Sequence, residues 1–185
     1  YASSSDTKVY RLTEKPEGVV RTSLSSRGLV SSMQTDNGVG GLNQEYYRYY
    51  DYKTHYQGLG SLGYSRIEKF NVGQNLAEVS EFNQDWETRR YASLKTKTVC
   101  YLPSSFNISS YSGTNYCQSN LLERESHQWQ SNGLGSGNAI SFHVYKAQSL
   151  YEEWGASGDF ISNRLVKRTY DSNGNLTNQT SDYGT

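Results

Sequence analysis

The residues that could do chemistry are few, and the first group is a set of alternating oxygen ligands. Asp171, Asn173 and Asn175 are spaced like the opening of a calcium-binding loop. An EF-hand loop needs Gly at its sixth position and Glu at its twelfth, where this chain has Leu176 and Asp182. We therefore expect a turn in which Asp171 hydrogen-bonds its own backbone, and no metal site.

Two further patterns resemble catalytic or cofactor motifs without meeting their requirements. Gly58, Gly60 and Gly63 fit G-x-G-x-x-G, but a dinucleotide site also needs a following helix, and the residues that follow predict a strand. Glu152 and Glu153 are adjacent, so on a strand they point to opposite faces and cannot flank one glycosidic bond. We expect no enzyme activity and no cofactor.

Two cysteines enclose a segment that predicts a loop between strands. Residues 101–116, between Cys100 and Cys117, are rich in Ser, Asn, Gly and Tyr. A disulfide across the base of this loop would stabilise the fold by roughly 3 kcal/mol through loop closure. An even cysteine count is typical of secreted or cell-surface proteins, and two unpaired thiols in a reducing cell are the alternative. A zinc site lacks further ligands at metal spacing, because the histidines are scattered.

Aromatic side chains offer another kind of chemistry, which is stacking on sugar rings. Trp86, Trp129 and Trp154 are the residues that we expect to contact a glycan if the protein binds one. Packing within a core or a sheet wall is the alternative use of the same rings.

The elements that must position these residues are strands. The chain of 185 residues has 17 Tyr and 17 Gly but only 2 Pro and 1 Met, so turn formers and half-buried strand residues dominate. A mean hydropathy of -0.81 is compatible with disorder, but aromatic residues at 14% argue against it. We predict a single all-β segment that is long enough to bury a core.

The charge balance excludes several partners. Lys+Arg and Asp+Glu both number 18, so no basic excess is present to neutralise nucleic acid or acidic membranes. No window is apolar for long enough to span a membrane. A net charge of +0 lowers repulsion between copies and is compatible with assembly. The chain begins at Tyr1, and we expect a mature product or, given its repeat-like ending, a piece of a longer protein.

Turn signals recur every ~8–15 residues, which is the spacing of successive antiparallel strands. They predict consecutive β-hairpins in an extended or shell-like sheet, with a β-sandwich as the alternative. We expect one Tyr-rich strand over 42–56, strand or short helix over 121–130, and a long loop over 131–138. Asn173-Gly174 predicts a two-residue type I′ turn with positive φ at both positions.

Two segments resemble a known family. The run Arg168-Thr169-Tyr170-Asp171-Ser172-Asn173-Gly174-Asn175-Leu176-Thr177 resembles the tyrosine-aspartate (YD, or RHS) repeat. A second segment resembles the region before these repeats in insecticidal toxin-complex B components and SpvB-like proteins. It consists of Thr35-Asp36-Asn37-Gly38-Val39-Gly40-Gly41, the Tyr-rich strand, and Tyr56-Gln57-Gly58-Leu59-Gly60-Ser61-Leu62-Gly63-Tyr64. The resemblance covers roughly residues 20–100 and 160–182, and the cysteine loop departs from it.

The resemblance implies a spiral of β-hairpins that forms a hollow shell around a toxin. In that family the active part is a separate C-terminal toxin, so no activity is transferred to this segment. The implied partners are neighbouring repeats or subunits of the same assembly, with a toxin cargo or a cell-surface protein beyond them. A secreted β-sandwich that binds a glycan or a cell-surface protein is the alternative.

Overall fold

The computed structural model describes residues 1–13, 18–22, 28–111, 113, 116–134 and 141–185. These residues contain strands and no helix. In chain order the strands are β1 Tyr10–Arg11, β2 Val20–Thr22, β3 Ser32–Asp36, β4 Leu42–Tyr50, β5 Lys53–His55, β6 Gly60–Gly63, β7 Arg66–Asn71, β8 Leu76–Asp85, β9 Arg90–Tyr101, β10 Leu121–Leu134, β11 Ser141–Trp154, β12 Phe160–Tyr170 and β13 Leu176–Gly184.

Most strands belong to one large sheet in the order β1-β4-β7-β8-β9-β10-β11-β12-β13. From β7 onward each strand pairs antiparallel with its neighbour in the chain. At the other side β4 pairs antiparallel with β3 and parallel with the two-residue β1. The second sheet has only three short strands, in the order β2-β5-β6. The predicted all-β fold of successive hairpins in an extended sheet is confirmed, and the strands do not form two facing sheets of similar size.

The Tyr-rich segment 42–56 is two strands, and the prediction of one strand was wrong. β4 ends at Tyr50, and Asp51 takes a left-handed conformation with φ 46°, which turns the chain into β5 of the small sheet. This conformation lies outside the β region, and it redirects the chain at this point. At the end of β4 the side chains alternate, because Arg48 and Tyr50 are buried while Tyr49 between them is half-buried.

The main hydrophobic core lies where the cysteine loop folds back over the sheet. Cys100 and Cys117 form the predicted disulfide. The loop contributes side chains that pack against buried residues of β7, β8 and β9, among them Phe70, which stacks on Phe106 at 5.1 Å. The buried members of this core are Phe70, Ala77, Val79, Cys100, Leu102, Tyr111 and Cys117. The loop therefore covers the core.

The four strands β10 to β13 form a single-layer arm. Only His127, Ser149 and Val166 are buried among their described side chains. β10 is a strand throughout 121–130 and continues to Leu134, so the loop predicted over 131–138 was wrong for 131–134, and 135–140 lie outside the described residues. One residue of β11, Ala147, has no counterpart on β10, and this bulge shifts the apolar alternation of the strand.

Candidate functional site: the motif hairpin and the open sheet

The hairpin between β12 and β13 is built by the residues of the YD-like motif. The Asp171 carboxylate accepts hydrogen bonds from the backbone N–H groups of Asn173 and Asn175, at 2.9 and 2.8 Å. The Asp171 N–H donates to the Asn175 carbonyl, and the Gly174 N–H donates to the Asp171 carbonyl. These bonds are the ones that we expected of an aspartate turn. The side-chain amide of Asn175 also donates to the Asp171 carboxylate, at 2.9 Å, and this bond, together with those from the N–H groups of Asn175 and Asn173, lowers the pKa of Asp171 below its ordinary value.

The predicted type I′ turn was wrong. Gly174 has φ 85°, but Asn173 is not left-handed, so only one of the two central residues has positive φ. An i to i+3 hydrogen bond followed by one left-handed glycine is the pattern of a type I turn with a bulge. The Asp171 carboxylate accepts from the N–H groups of Asn173 and Asn175. These two bonds favour this turn over the shorter two-residue type I′ turn.

Two motif residues attach this turn to β11. The Tyr170 ring lies 4.4 Å from the Tyr145 ring and 5.9 Å from the His143 ring, measured between centroids. A Cβ on Gly174 would lie 2.8 Å from the imidazole of His143, which is closer than real Cβ contacts. Glycine is therefore required here both for its left-handed backbone and for the space that His143 occupies.

Arg168 belongs to a chain of hydrogen bonds that crosses four strands. Its guanidinium donates to Gln179 on β13 and to the hydroxyl of Ser149 on β11, at 3.0 and 3.1 Å. Ser149 contacts Nδ1 of His127 on β10 at 3.1 Å, and Nε2 of His127 lies 2.8 Å from Glu125. We call Glu125, His127, Ser149, Arg168 and Gln179 the polar chain. It ties the motif hairpin to the strands before it.

When the His127 imidazole is neutral, placing its proton on Nε2 makes every contact of the polar chain a hydrogen bond. Nε2 must carry the proton to donate to Glu125, so Nδ1 accepts from Ser149, and Ser149 in turn accepts from Arg168. Burial of the ring and the ammonium of Lys146, 3.2 Å from Nε2, lower the pKa of His127 below its ordinary value, while Glu125 opposes this. The rings of Trp129 and Tyr151 also face the imidazole.

The order Ser149, His127 and Glu125 has the contacts of a hydrolase triad, but its geometry does not permit nucleophilic attack. Ser149 is 0% exposed, so no substrate carbonyl can reach its hydroxyl. Its oxygen already accepts a bond from Arg168. The arrangement fixes strands in register, and it supports a structural role for the arm. Sequence reasoning missed this chain, because it depends on which residues face one another across strands.

A second polar group was also missed, and it fastens the cysteine loop to the sheet. Glu68 is fully buried and accepts hydrogen bonds from the hydroxyls of Tyr50 and Tyr111, at 2.7 and 2.9 Å. Arg66 forms an ion pair with the same carboxylate at 2.9 Å. Burial raises the pKa of Glu68, and burial together with the Glu68 charge raises the pKa of Tyr111. Arg48 adds a hydrogen bond to the carbonyl of Ile108 in the loop.

The three tryptophans lie on different segments and each has its own partner. Trp86 lies in the turn between β8 and β9 and contacts the buried ring of His55 at 4.6 Å. The indole N–H of Trp129 donates to the Leu94 carbonyl at 2.7 Å. Trp154 packs edge-on against Phe160, with 5.9 Å between ring centroids, and the guanidinium of Arg124 lies over its ring. All three are half-buried, and among the described residues no ring contact joins two of them. They do not form one stacking platform.

A polar cleft of about 480 Å³ lies where the two sheets meet. The buried carboxylate of Asp51 accepts hydrogen bonds there from Thr13 and from the hydroxyl of Ser65. The side-chain amide of Gln84 donates to the carbonyls of Asp51 and Gly63, at 2.7 and 2.8 Å. These bonds join the N-terminal segment and the small sheet to β8, so the cleft is a junction of structural contacts.

No group of three or more His, Cys, Asp or Glu side chains that could hold a metal occurs among the described residues. The same residues contain no helix that is long and apolar enough to cross a membrane. Comparison of the chain with protein-family models, curated proteins and solved structures found no match. The disulfide indicates an environment outside the cytoplasm.

Proposed function

We propose that this chain is a non-catalytic β-hairpin segment of a YD/RHS-type protein, secreted or at the cell surface, and that it forms part of a shell or fibre wall. In this role the chain binds no substrate. Its neighbours are further repeats or subunits of the same assembly, and a toxin cargo or a cell-surface partner lies beyond the wall.

The observation that carries this proposal is the single-layer arm β10–β13. Consecutive hairpins lie side by side in it, and the motif residues Arg168, Tyr170, Asp171 and Gly174 each fix the last hairpin, through a turn or through a contact with β11. A wall of this kind must hold together without a second layer. Cross-strand side-chain pairs contribute roughly 0.2–1 kcal/mol each, so a long ladder of them can maintain one layer.

The test is to identify the native full-length product. Antibodies against the exposed 171–175 turn would capture it from the cells and medium of the source, and mass spectrometry would give its length and sequence. We expect an extracellular product with further Tyr-Asp hairpins. A product that lacks them, and that binds glycans on an array through Trp86, Trp129 or Trp154, would replace this proposal with the glycan-binding module.

A further inference from the structure

The N-terminal segment, residues 1–13, covers part of the outer edge of β4. The N–H groups of Tyr49 and Asp51 donate to the carbonyls of Val9 and Arg11, at 2.8 and 3.0 Å. Backbone groups on a sheet edge are otherwise open to water or to another strand. These bonds therefore keep this part of the edge closed.

The side chain of Arg11 connects the same segment to the cysteine loop. Its guanidinium donates to the Tyr111 carbonyl at 2.7 Å and lies 5.9 Å from the centre of the Tyr111 ring. The guanidinium also fills the space beside Gly113, where an added Cβ would meet Nη1 of Arg11 more closely than real Cβ atoms approach other groups. Arg11 thus bonds to the β4 edge through its carbonyl and to the loop through its side chain.

The loop is itself fixed to the large sheet, so it can serve as an anchor for the segment. Arg48 on β4 donates to the Ile108 carbonyl at 3.2 Å, and Arg66 on β7 donates to the Gly113 carbonyl at 3.4 Å. The disulfide closes the base of the loop. The partner of the Arg11 guanidinium is therefore held in place from the sheet, independently of the N-terminal segment.

We infer that the cysteine loop acts as a latch, which holds the N-terminal segment on β4 through Arg11. Burial of Val9 and Tyr10 also anchors the segment, but β1 has only two residues, so its backbone pairing with β4 is short. When the latch opens, the amides of Tyr49 and Asp51 are released and the large sheet gains a free edge beside its Tyr-rich strand. This device is a property of the fold and does not depend on the proposed function.

Hydrogen exchange at single amides, followed by NMR under conditions that report the opening equilibrium, measures how often this edge opens. Arg11→Met removes the guanidinium and keeps an unbranched side chain. Because a hydrogen bond from a charged donor is lost, exchange at Tyr49 and Asp51 should become about 10- to 100-fold faster. The Tyr47 amide is the internal reference, because it donates to the Ser31 carbonyl on the same strand.

A change within the loop should have the same effect on the β4 edge. Gly113→Ala displaces the Arg11 guanidinium and strains a residue with φ 89°. Gly158→Ala is the control for backbone strain, since Gly158 has φ 87° and no atom lies within 4 Å of an added Cβ. Arg21→Met is the control for loss of an arginine, since the Arg21 guanidinium lies over the Tyr56 ring, 4.8 Å from its centre.

The inference holds if Arg11→Met and Gly113→Ala each speed exchange at Tyr49 and Asp51 but not at Tyr47, while both controls leave these amides unchanged. The double variant should then exchange no faster than the faster single variant, because both changes break one contact. The inference is overturned if Arg11→Met leaves the edge amides unchanged, or if the two effects multiply in the double variant. Urea unfolding checks that each variant folds, and if Gly113→Ala does not, Arg11→Met and its control decide the question.

Discussion

Reduction of the Cys100–Cys117 disulfide should remove about 3 kcal/mol from the free energy of unfolding. The two residues are separated by 17 positions, and closing a loop of this length restricts the unfolded chain by about that amount. This loss lowers the ratio of folded to unfolded molecules about 100-fold. The native contacts of the loop, including those of Tyr111 with Glu68, remain available in the reduced protein.

Urea unfolding with and without a thiol reductant measures the loss, and Cys100→Ala/Cys117→Ala supplies a second comparison. The double variant should lose more, because both sulfurs are buried in the core and their removal leaves space. Amide exchange should show lower protection in β7, β8 and β9, which the loop covers. If reduction lowered the free energy of unfolding by less than about 1 kcal/mol, loop closure by the disulfide would not be what stabilises the packing of the loop on the core.

Three further outcomes test the contacts described above. Tyr111→Phe removes a hydrogen bond to a buried carboxylate and should cost about 1.5–3 kcal/mol in urea unfolding, whereas Tyr116→Phe, in the same core without a hydroxyl contact among the described residues, should cost much less. The pKa of His127 is lower in the folded protein than in the unfolded chain, so the neutral imidazole stabilises the fold above about pH 6.5, and this stabilisation is lost as the pH falls below that value. Thermal unfolding of His127→Gln should show a smaller decline in stability over the same pH range. Gly174→Ala should destabilise by more than Gly158→Ala, because both residues have φ near 85° but only position 174 meets a ring; equal losses would contradict the close contact.

Local chemistry made much of the fold predictable. Turn residues at regular spacing predict successive antiparallel strands, because Gly and Asn permit the backbone conformations of turns. The break at Asp51 was not predictable, because a non-glycine residue is held at positive φ there by tertiary contacts. β10 likewise continues through Gly133 and Leu134 because it pairs with β11, although glycine is unfavourable in strands.

The candidate site was predictable only in part. The motif hairpin was located correctly, because Asp, Asn and Gly at these positions indicate a turn from local sequence alone. The polar chain and the Glu68 group could not be found in this way. Glu68 and Tyr111 are 43 positions apart, and their contact depends on how the loop folds over the sheet. His127 and Ser149 meet only because β10 and β11 pair in one particular register.

The measurement that tests the central claim most directly is cryo-electron microscopy of the native full-length product, captured through the 171–175 turn. The account predicts that β10 to β13 lie within a one-layer wall whose strands continue into neighbouring hairpins or subunits. A compact particle in which this arm is packed beneath a second layer, or in which a substrate occupies the cleft beside Asp51, would contradict it.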